Sequence, residues 1–215
     1  MLSPNEAQYA EDEAHMTEML ELFKRETLSF VDGTLPFDTY DKAVGWDRIL
    51  EADGRHFVTQ FPQGHAVMSQ DIGGTSGASF LSFVGFFGHR VVNVTPDLLS
   101  QMNQFTSSLC ALLCDHPDIL LYGYAEVKAK GDYYNLVVLR HESAGMKWRD
   151  GALHQQAVNG LSPKYYTSIR IHTGDLPDGL DSTQFNLKRS VLLDYTAHQK
   201  DPNAPIQREV KLWTQ

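Results

Sequence analysis

Cysteines, clusters of basic residues and long apolar runs are all scarce in this sequence. The chain of 215 residues has two cysteines, Cys110 and Cys114, on an apolar helical pattern. This arrangement is typical of buried thiols in a reducing compartment, since no second Cys or His pair with zinc-like spacing accompanies them. A redox or metal-binding pair is the alternative. We therefore expect neither disulfides nor a metal site.

The charge balance disfavours partners that carry strong negative charge. The chain has 18 Lys and Arg against 27 Asp and Glu, a formal net charge of −9, and no basic cluster. Binding to nucleic acid or to an anionic membrane depends on such clusters. No apolar run reaches the roughly 20 residues of a membrane span, and the acidic N-terminus lacks an apolar signal region. We expect a cytoplasmic protein that binds neither nucleic acid nor membranes.

The residue patterns divide the chain into three segments: a helical and hairpin extension (1–75), an α/β domain (76–182), and an extra strand with a polar tail (183–215). In the first, Ser3, Pro4 and Glu6 form a capping box that begins a helix over 3–27. Its apolar stripe predicts a docking face and consists of Met16, Met19, Leu20 and Phe23. Residues 43–52 predict a short helix, and residues 55–61 and 65–70 predict a hairpin.

The middle segment has a β-α-β-β-α-β order. Strands are predicted at 80–94, 118–129, 132–141 and 164–174, and helices at 95–113 and 146–159. This is the order of the ferredoxin-like unit, in which both helices cover one face of an antiparallel sheet. Residues 184–195 predict an additional edge strand. We therefore expect an α+β fold.

The other face of such a sheet needs a cover. The first strand is apolar on both faces, because Phe80, Phe83, Phe86 and Phe87 cannot all point into one helix layer. A second sheet from a two-fold partner would close a dimeric barrel. A cover formed by residues 1–70 is the alternative.

The element order, the strand end Leu139-Arg140-His141-Glu142-Ser143 and the following Trp148 and His154 resemble the dimeric α/β-barrel superfamily of the antibiotic-biosynthesis-monooxygenase type. The similarity covers residues 80–174. The resemblance implies a homodimer with an interior that holds a small molecule. Known members include cofactor-independent oxygenases, cyclases, isomerases and haem-degrading enzymes, so the fold alone does not specify the chemistry.

Three residues are the candidate catalytic groups: His154 and His172 as general bases, and Arg170 as the group that stabilises an oxyanion. His154 lies on the second helix among small residues, and its alternative role is a hydrogen bond to a loop carbonyl. Arg170 and His172 alternate on the last strand and are predicted to face the interior together with Tyr166. The alternative for Arg170 is an ion pair with Glu126 or Glu142.

The candidate substrate-binding residues are Trp148, Tyr166, Asn135 and His141. Trp148 is predicted to lie on a different helix face from His154, where it could stack on an aromatic ligand or pack in the core. Asn135 and His141 share one face of the third strand and could contribute polar groups to the same cavity.

Two functions follow as hypotheses. The first is an enzyme that oxygenates, cyclises or isomerises an apolar, aromatic or conjugated molecule inside the barrel and that requires no cofactor. The second is a protein that binds haem or another hydrophobic ligand, with a histidine as axial ligand. A third interpretation, an interaction module, predicts an interior filled by side chains.

Overall fold

The computed structural model describes residues 6–34, 46–50, 55–60, 80–113, 116–127 and 132–213. These residues form a mixed α+β fold built on one antiparallel sheet. The strands are β1 (Trp46–Leu50), β2 (Arg55–Gln60), β3 (Leu81–Arg90), β4 (Ile119–Val127), β5 (Asp132–Leu139), β6 (Tyr166–Leu176), β7 (Asn186–Asp194) and β8 (Gln207–Leu212). The helices are α1 (Glu6–Val31), α2 (Pro96–Leu113), α3 (Glu142–Arg149), α4 (Ala152–Gln156), α5 (Ser162–Tyr165) and α6 (Thr196–Lys200). A π-helix spans Ala157–Leu161 and a 3₁₀ turn spans Gly179–Asp181.

The strands are ordered β1-β2-β4-β5-β3-β6-β7-β8 in a single sheet. Every neighbouring pair is antiparallel. The α+β class is therefore confirmed. Strands from all three predicted segments contribute to this sheet, with β3 and β5 in its interior.

Two predictions about strands are wrong. Residues 43–52 were expected to be helical, but residues 46–50 form β1, where Trp46 pairs with Thr59 of β2. A tryptophan and an isoleucine fit a strand well, and pairing with β2 overrides the weak helical pattern. The strand at 184–195 is β7, but it is not at the edge, because β8 forms within the predicted polar tail and pairs with it. The second arm of the expected hairpin (65–70), the capping residues Ser3 and Pro4, and Cys114 lie outside the described residues.

One face of the sheet is covered by α1. Met16, Met19 and Phe23 of this helix are at most 1% exposed and pack on the central strands. The close approach requires glycine in the sheet, because a Cβ at Gly123 would lie 2.6 Å from the Phe23 ring. The predicted apolar stripe is thus a docking face for the sheet of the same chain. Closure of a barrel by a second sheet at this face would require α1 to leave.

The opposite face carries the remaining helices. Phe105, Cys110 and Leu113 of α2 are buried there, and Ala144 of α3 packs beside them. A second cluster, centred on Tyr165, Tyr166, Ile169 and Tyr195, fills the space near α5 and α6. The sheet therefore separates a face covered by one long helix from a face covered by several short ones.

Candidate functional site

The two faces of the central strands differ in how tightly they are covered. Beneath α1, burial is nearly complete, with Phe83 1%, Tyr134 2% and Leu136 0% exposed. On the helix-covered face, the alternate side chains of the same strands are partly exposed, although β3 and β5 are interior strands. We call this partly exposed surface the helix-side cleft, and its floor consists of Val84, Phe86, Tyr124, Tyr133, Asn135 and Val137.

The helix layer is thin above this floor. No residue of α4 or of the π-helix is buried. A π-helix is rare and frequently occurs at a functional site. Every residue from 152 to 161 is therefore at least partly exposed.

Aromatic rings dominate the floor of the helix-side cleft. Tyr124 stacks on Tyr133 with ring centroids 5.6 Å apart and an interplanar angle of 27°. Phe86 contacts Tyr133 and Tyr166 edge-on, at 6.2 and 5.6 Å. Such a surface suits a flat conjugated ligand, because aromatic pairs favour these stacked and edge-to-face arrangements.

Two tyrosine hydroxyls provide the polar part of the floor. The hydroxyl oxygens of Tyr122 and Tyr133 are 3.3 Å apart. Burial raises the pKa of both phenols well above the usual value, and the Cys110 thiol nearby acts in the same direction. Both hydroxyls are therefore protonated at neutral pH, and only one of the two protons is used in their mutual hydrogen bond.

Trp148 and His154 stand beside each other at the cleft. Trp148 packs against the cluster that contains Tyr122 and Leu139, and its ring centroid is 6.3 Å from that of His154. The prediction that these residues lie on different helix faces is wrong. The predicted helix at 146–159 is interrupted, because α3 ends at Arg149 and the backbone at Gly151 is extended. The break turns His154 back toward Trp148.

The protonation state of His154 suits a general base. Its Nδ1 lies 3.2 Å from the backbone carbonyl oxygen of Arg149, and since a carbonyl only accepts, Nδ1 carries the proton and Nε2 the lone pair. Burial lowers the pKa of His154, an effect that the carbonyl hydrogen bond partly opposes and the Arg149 charge reinforces. The imidazole is thus neutral near pH 7. This hydrogen bond to a backbone carbonyl is the alternative role that the sequence predicts for His154, and it orients the imidazole ring.

Arg170 and His172 project from the other face of β6, toward α1. Arg170 donates from Nε and one terminal nitrogen to the two oxygens of Asp12, at 2.7 and 2.6 Å. His172 Nε2 is 2.9 Å from the same carboxylate. The alternative prediction, an ion pair between Arg170 and Glu126 or Glu142, is wrong about the partner. The acceptor comes from α1, whose position the sequence does not specify.

A chain of hydrogen bonds extends from Asp12 to Trp213, the residue that follows β8. His172 Nδ1 lies 2.7 Å from Ser190 Oγ, which accepts a hydrogen bond from Trp213 Nε1 at 2.8 Å. Tyr9 completes the enclosure, with ring centroids 5.5 Å from His172 and 4.9 Å from Trp213. We call these groups (Asp12, Arg170, His172, Ser190 and Trp213) the Asp12 network.

The Asp12 network has the connectivity of an Asp-His-Ser relay but not its accessibility. Ser190 is 2% exposed and Asp12 is 1% exposed. In a hydrolase the serine oxygen must reach a substrate carbonyl, whereas here Trp213 already donates to it. Although burial by itself would raise the pKa of Asp12, the hydrogen bonds and charges of Arg170 and His172 outweigh burial and lower it. The network therefore fastens α1 to β6 and β7.

Two further predicted residues lie apart from these groups. Tyr166 was expected to share a face with Arg170, but it belongs to the helix-side cluster. The register between β3 and β6 shifts between His89 and Arg90, opposite Tyr166. This bulge reverses the face of β6 on which the Tyr166 side chain lies. His141 is at the end of β5, where it contacts Ser143 at 2.8 Å and Asp118 at 3.6 Å. His141 and Asn135 are six positions apart in the sequence, which is about 20 Å along an extended strand, so the two do not share a pocket.

Asp12, Tyr122, Tyr133, Ser190 and Trp213 were missed by sequence reasoning. The alternation in DYYNLVVL places Tyr133 on the same face as Asn135, which could have identified it. Asp12 has no such signal, because its partners are more than 150 positions away and only the packing of α1 brings them together.

Comparisons with known proteins leave the family open. No protein-family model matches the chain, and no curated protein matches it. The chain is similar to the crystal structure of protein SO0527 from Shewanella oneidensis, with 11% identity and a TM-score of 0.38 over 46% of this chain and 92% of that one. Among the described residues, no group of three or more His, Cys, Asp or Glu could hold a metal ion. Within the same residues, every helix is too short or too polar to span a membrane.

Proposed function

We propose that the chain is a small-molecule enzyme with a ferredoxin-like core, and that it binds an apolar aromatic or conjugated compound in the helix-side cleft. The strand order β4-β5-β3-β6 supports the first part, because it places the second, third, first and fourth strands of a β-α-β-β-α-β unit side by side. In this proposal α1 occupies the face that a second sheet covers in the dimeric barrels that the sequence resembles.

One observation carries the proposal: His154, whose pKa is lowered, lies beside Trp148, which packs with Val84, Tyr124 and Val137 on the same face of the sheet as the aromatic floor. Ligand sites are mainly apolar, with few polar groups that orient the ligand. Here the apolar surface is Phe86 and the stacked tyrosines, and the polar group is the Asn135 amide.

The reaction begins with proton removal. His154 Nε2 accepts a proton from an acidic C–H or O–H of the conjugated substrate, and the electron pair moves to a carbonyl or phenol oxygen. The partly exposed Asn135 amide donates a hydrogen bond that stabilises the resulting oxyanion. Isomerisation, cyclisation or reaction with oxygen can follow. Arg170 has no part in this step, because Asp12 already neutralises it.

The test compares binding with turnover. The wild-type chain is incubated with phenolic and anthrone-type compounds, binding is measured by calorimetry, and products are measured by mass spectrometry. His154→Ala should retain binding and lose turnover by about a hundredfold or more, whereas Trp148→Ala should lose binding. His15→Ala is the matched control, since His15 stacks on Tyr134 at the opposite, α1-covered face of the sheet, and should change neither. Undiminished turnover in His154→Ala, or no binding by the wild type, would contradict the proposal.

A second candidate function is haem binding through His154 Nε2. The hydrogen bond from Nδ1 to the Arg149 carbonyl favours it, because histidine ligands usually donate their other nitrogen in this way. The half-buried aromatic floor would contact the porphyrin. Titration of the protein with haemin should then produce a Soret band that His154→Ala lacks. A spectrum identical to that of free haemin would exclude this candidate.

A further inference from the structure

Among the residues that the structure describes, no strand pairs with the outer edge of β8. This strand pairs with β7 on one side and ends the sheet on the other. Val210 is 41% exposed and Leu212 is 74% exposed. A strand edge with free backbone groups and exposed apolar side chains is a site for pairing with another strand.

The backbone fixes which groups point outward. The N–H of Trp213 donates to the Lys188 carbonyl of β7 at 3.0 Å. Because backbone groups alternate along an antiparallel strand, Lys211 and Glu209 also point toward β7. Arg208, Val210 and Leu212 therefore present their N–H and C=O groups to the free edge.

We infer that β8 is a homodimer interface, in which the β8 strands of two copies pair antiparallel about a two-fold axis at Val210. Two copies can pair with themselves in only a few registers. A two-fold axis at Glu209 sets Glu209 against itself, and an axis at Lys211 sets Lys211 against itself; both are disfavoured by like charges.

The register centred on Val210 satisfies the backbone and the charges together. Val210 then faces the partner's Val210, and Arg208 faces the partner's Leu212, so that every outward-pointing backbone group has a partner. Glu209 faces the partner's Lys211 twice, once on each side of the axis. The Glu209 and Lys211 positions form pairs without backbone hydrogen bonds, in which the side chains lie closest together. Opposite charges therefore attract most strongly there.

The side chains are already arranged for this register. Glu209 and Lys211 lie on the same face of β8 as Trp213, and Lys211 Nζ is held 3.6 Å above the Trp213 ring. The cation is thus on the sheet face where the partner's Glu209 would lie. On the opposite face, Val210 and Leu212 of both copies form an apolar strip that pairing would cover. This interface leaves α1 on its sheet face and does not involve the helix-side cleft.

The experiment is a charge exchange followed by sedimentation velocity. The wild type should be dimeric. Glu209→Lys and Lys211→Glu should each weaken the dimer about tenfold or more, because each creates like-charge pairs on both sides of the axis. A mixture of the two variants should recover a dimer, since both pairs are then complementary again, and a mass tag on one variant identifies the mixed species.

A proline variant tests the backbone independently. Val210→Pro removes an N–H that points away from β7, so it should abolish the dimer while the circular dichroism spectrum and the melting temperature of the monomer stay unchanged. Each of three results would overturn the inference: a wild type that is monomeric at all concentrations tested, a Glu209→Lys variant that remains as dimeric as the wild type, or a mixture of the two charge variants that stays monomeric. Should Lys211→Glu fail to fold, Glu209→Lys and Val210→Pro still decide the outcome.

Discussion

Replacement of Asp12 by Asn should destabilise the protein strongly, although it changes a single atom. Asp12 is 1% exposed and is the shared acceptor for Arg170 and His172. In the variant, an NH₂ group faces donors, and the Arg170 guanidinium loses its counter-charge in a largely buried position. Removing one partner of a buried ion pair costs about 3–5 kcal/mol. Because the amide oxygen of Asn still accepts one hydrogen bond, we expect a loss of about 3 kcal/mol.

Urea denaturation followed by circular dichroism measures this loss. With an m-value of about 2–3 kcal/mol/M, the midpoint should fall by about 1–1.5 M. Glu11→Gln is the control: it removes the same charge from the neighbouring residue of α1, which is exposed, and should change stability by less than about 0.5 kcal/mol. A midpoint for Asp12→Asn within error of that for Glu11→Gln would refute the role assigned to the Asp12 network.

The pH dependence gives an independent check. The pKa of Asp12 is lowered in the folded state, so its contribution to stability is complete above the unfolded value of about 3.9 and disappears as the pH falls through the folded value. The difference in unfolding free energy between wild type and Asp12→Asn should therefore be constant near neutral pH and shrink below about pH 4. A difference that grows on acidification would have the wrong sign for a paired carboxylate.

Two further predictions concern a glycine and the buried tyrosines. Gly174→Ala should destabilise the protein by about 3 kcal/mol or more, because the new Cβ would meet the Asn186 backbone carbonyl, which cannot move aside. The control is Gly160→Ala, which has nothing within 4 Å of the new Cβ and should be neutral or stabilising by up to about 1 kcal/mol. Equal melting temperatures for the two variants would contradict this prediction. In an alkaline titration followed by absorbance, Tyr122, Tyr133 and Tyr166 should ionise only on unfolding, and Tyr195 with a pKa of about 12. Because these folded-state pKa values are raised, stability should fall as the pH rises above the unfolded value of about 10, and ionisation of all tyrosines near pH 10 in the folded protein would contradict the burial.

The strands of the middle segment and its first helix could be predicted because their patterns are local. Alternating apolar residues define β3 and β5, and the stripe of α2 ends at a proline-containing turn. The errors occur where a tertiary contact changes a local pattern. Trp46 joins a strand because β2 is available as a partner, and Tyr166 changes face because a bulge inserts one residue.

The candidate site was predictable only in part, for the same reason. Trp148, His154 and Asn135 were selected from the sequence, and all three belong to the helix-covered side of the sheet. Arg170 and His172 were correctly placed together on one strand face, but what that face meets depends on where α1 docks. A charge on a distant helix, such as Asp12, leaves no periodic signal near its partners.

The contact between Tyr9 and Trp213 has a consequence for the order in which the molecule assembles. The first helix of the described chain rests on β6, β7 and β8, which leave the ribosome after it. The methionine-rich stripe of α1 itself packs on β3 and β4, which are also made after α1, so a nascent chain must carry it exposed until the central strands exist. Docking of α1 is thus a late event that joins distant parts of the chain, of the kind that slows folding. A fragment that stops before β3 would present this stripe to chaperones or to other nascent chains.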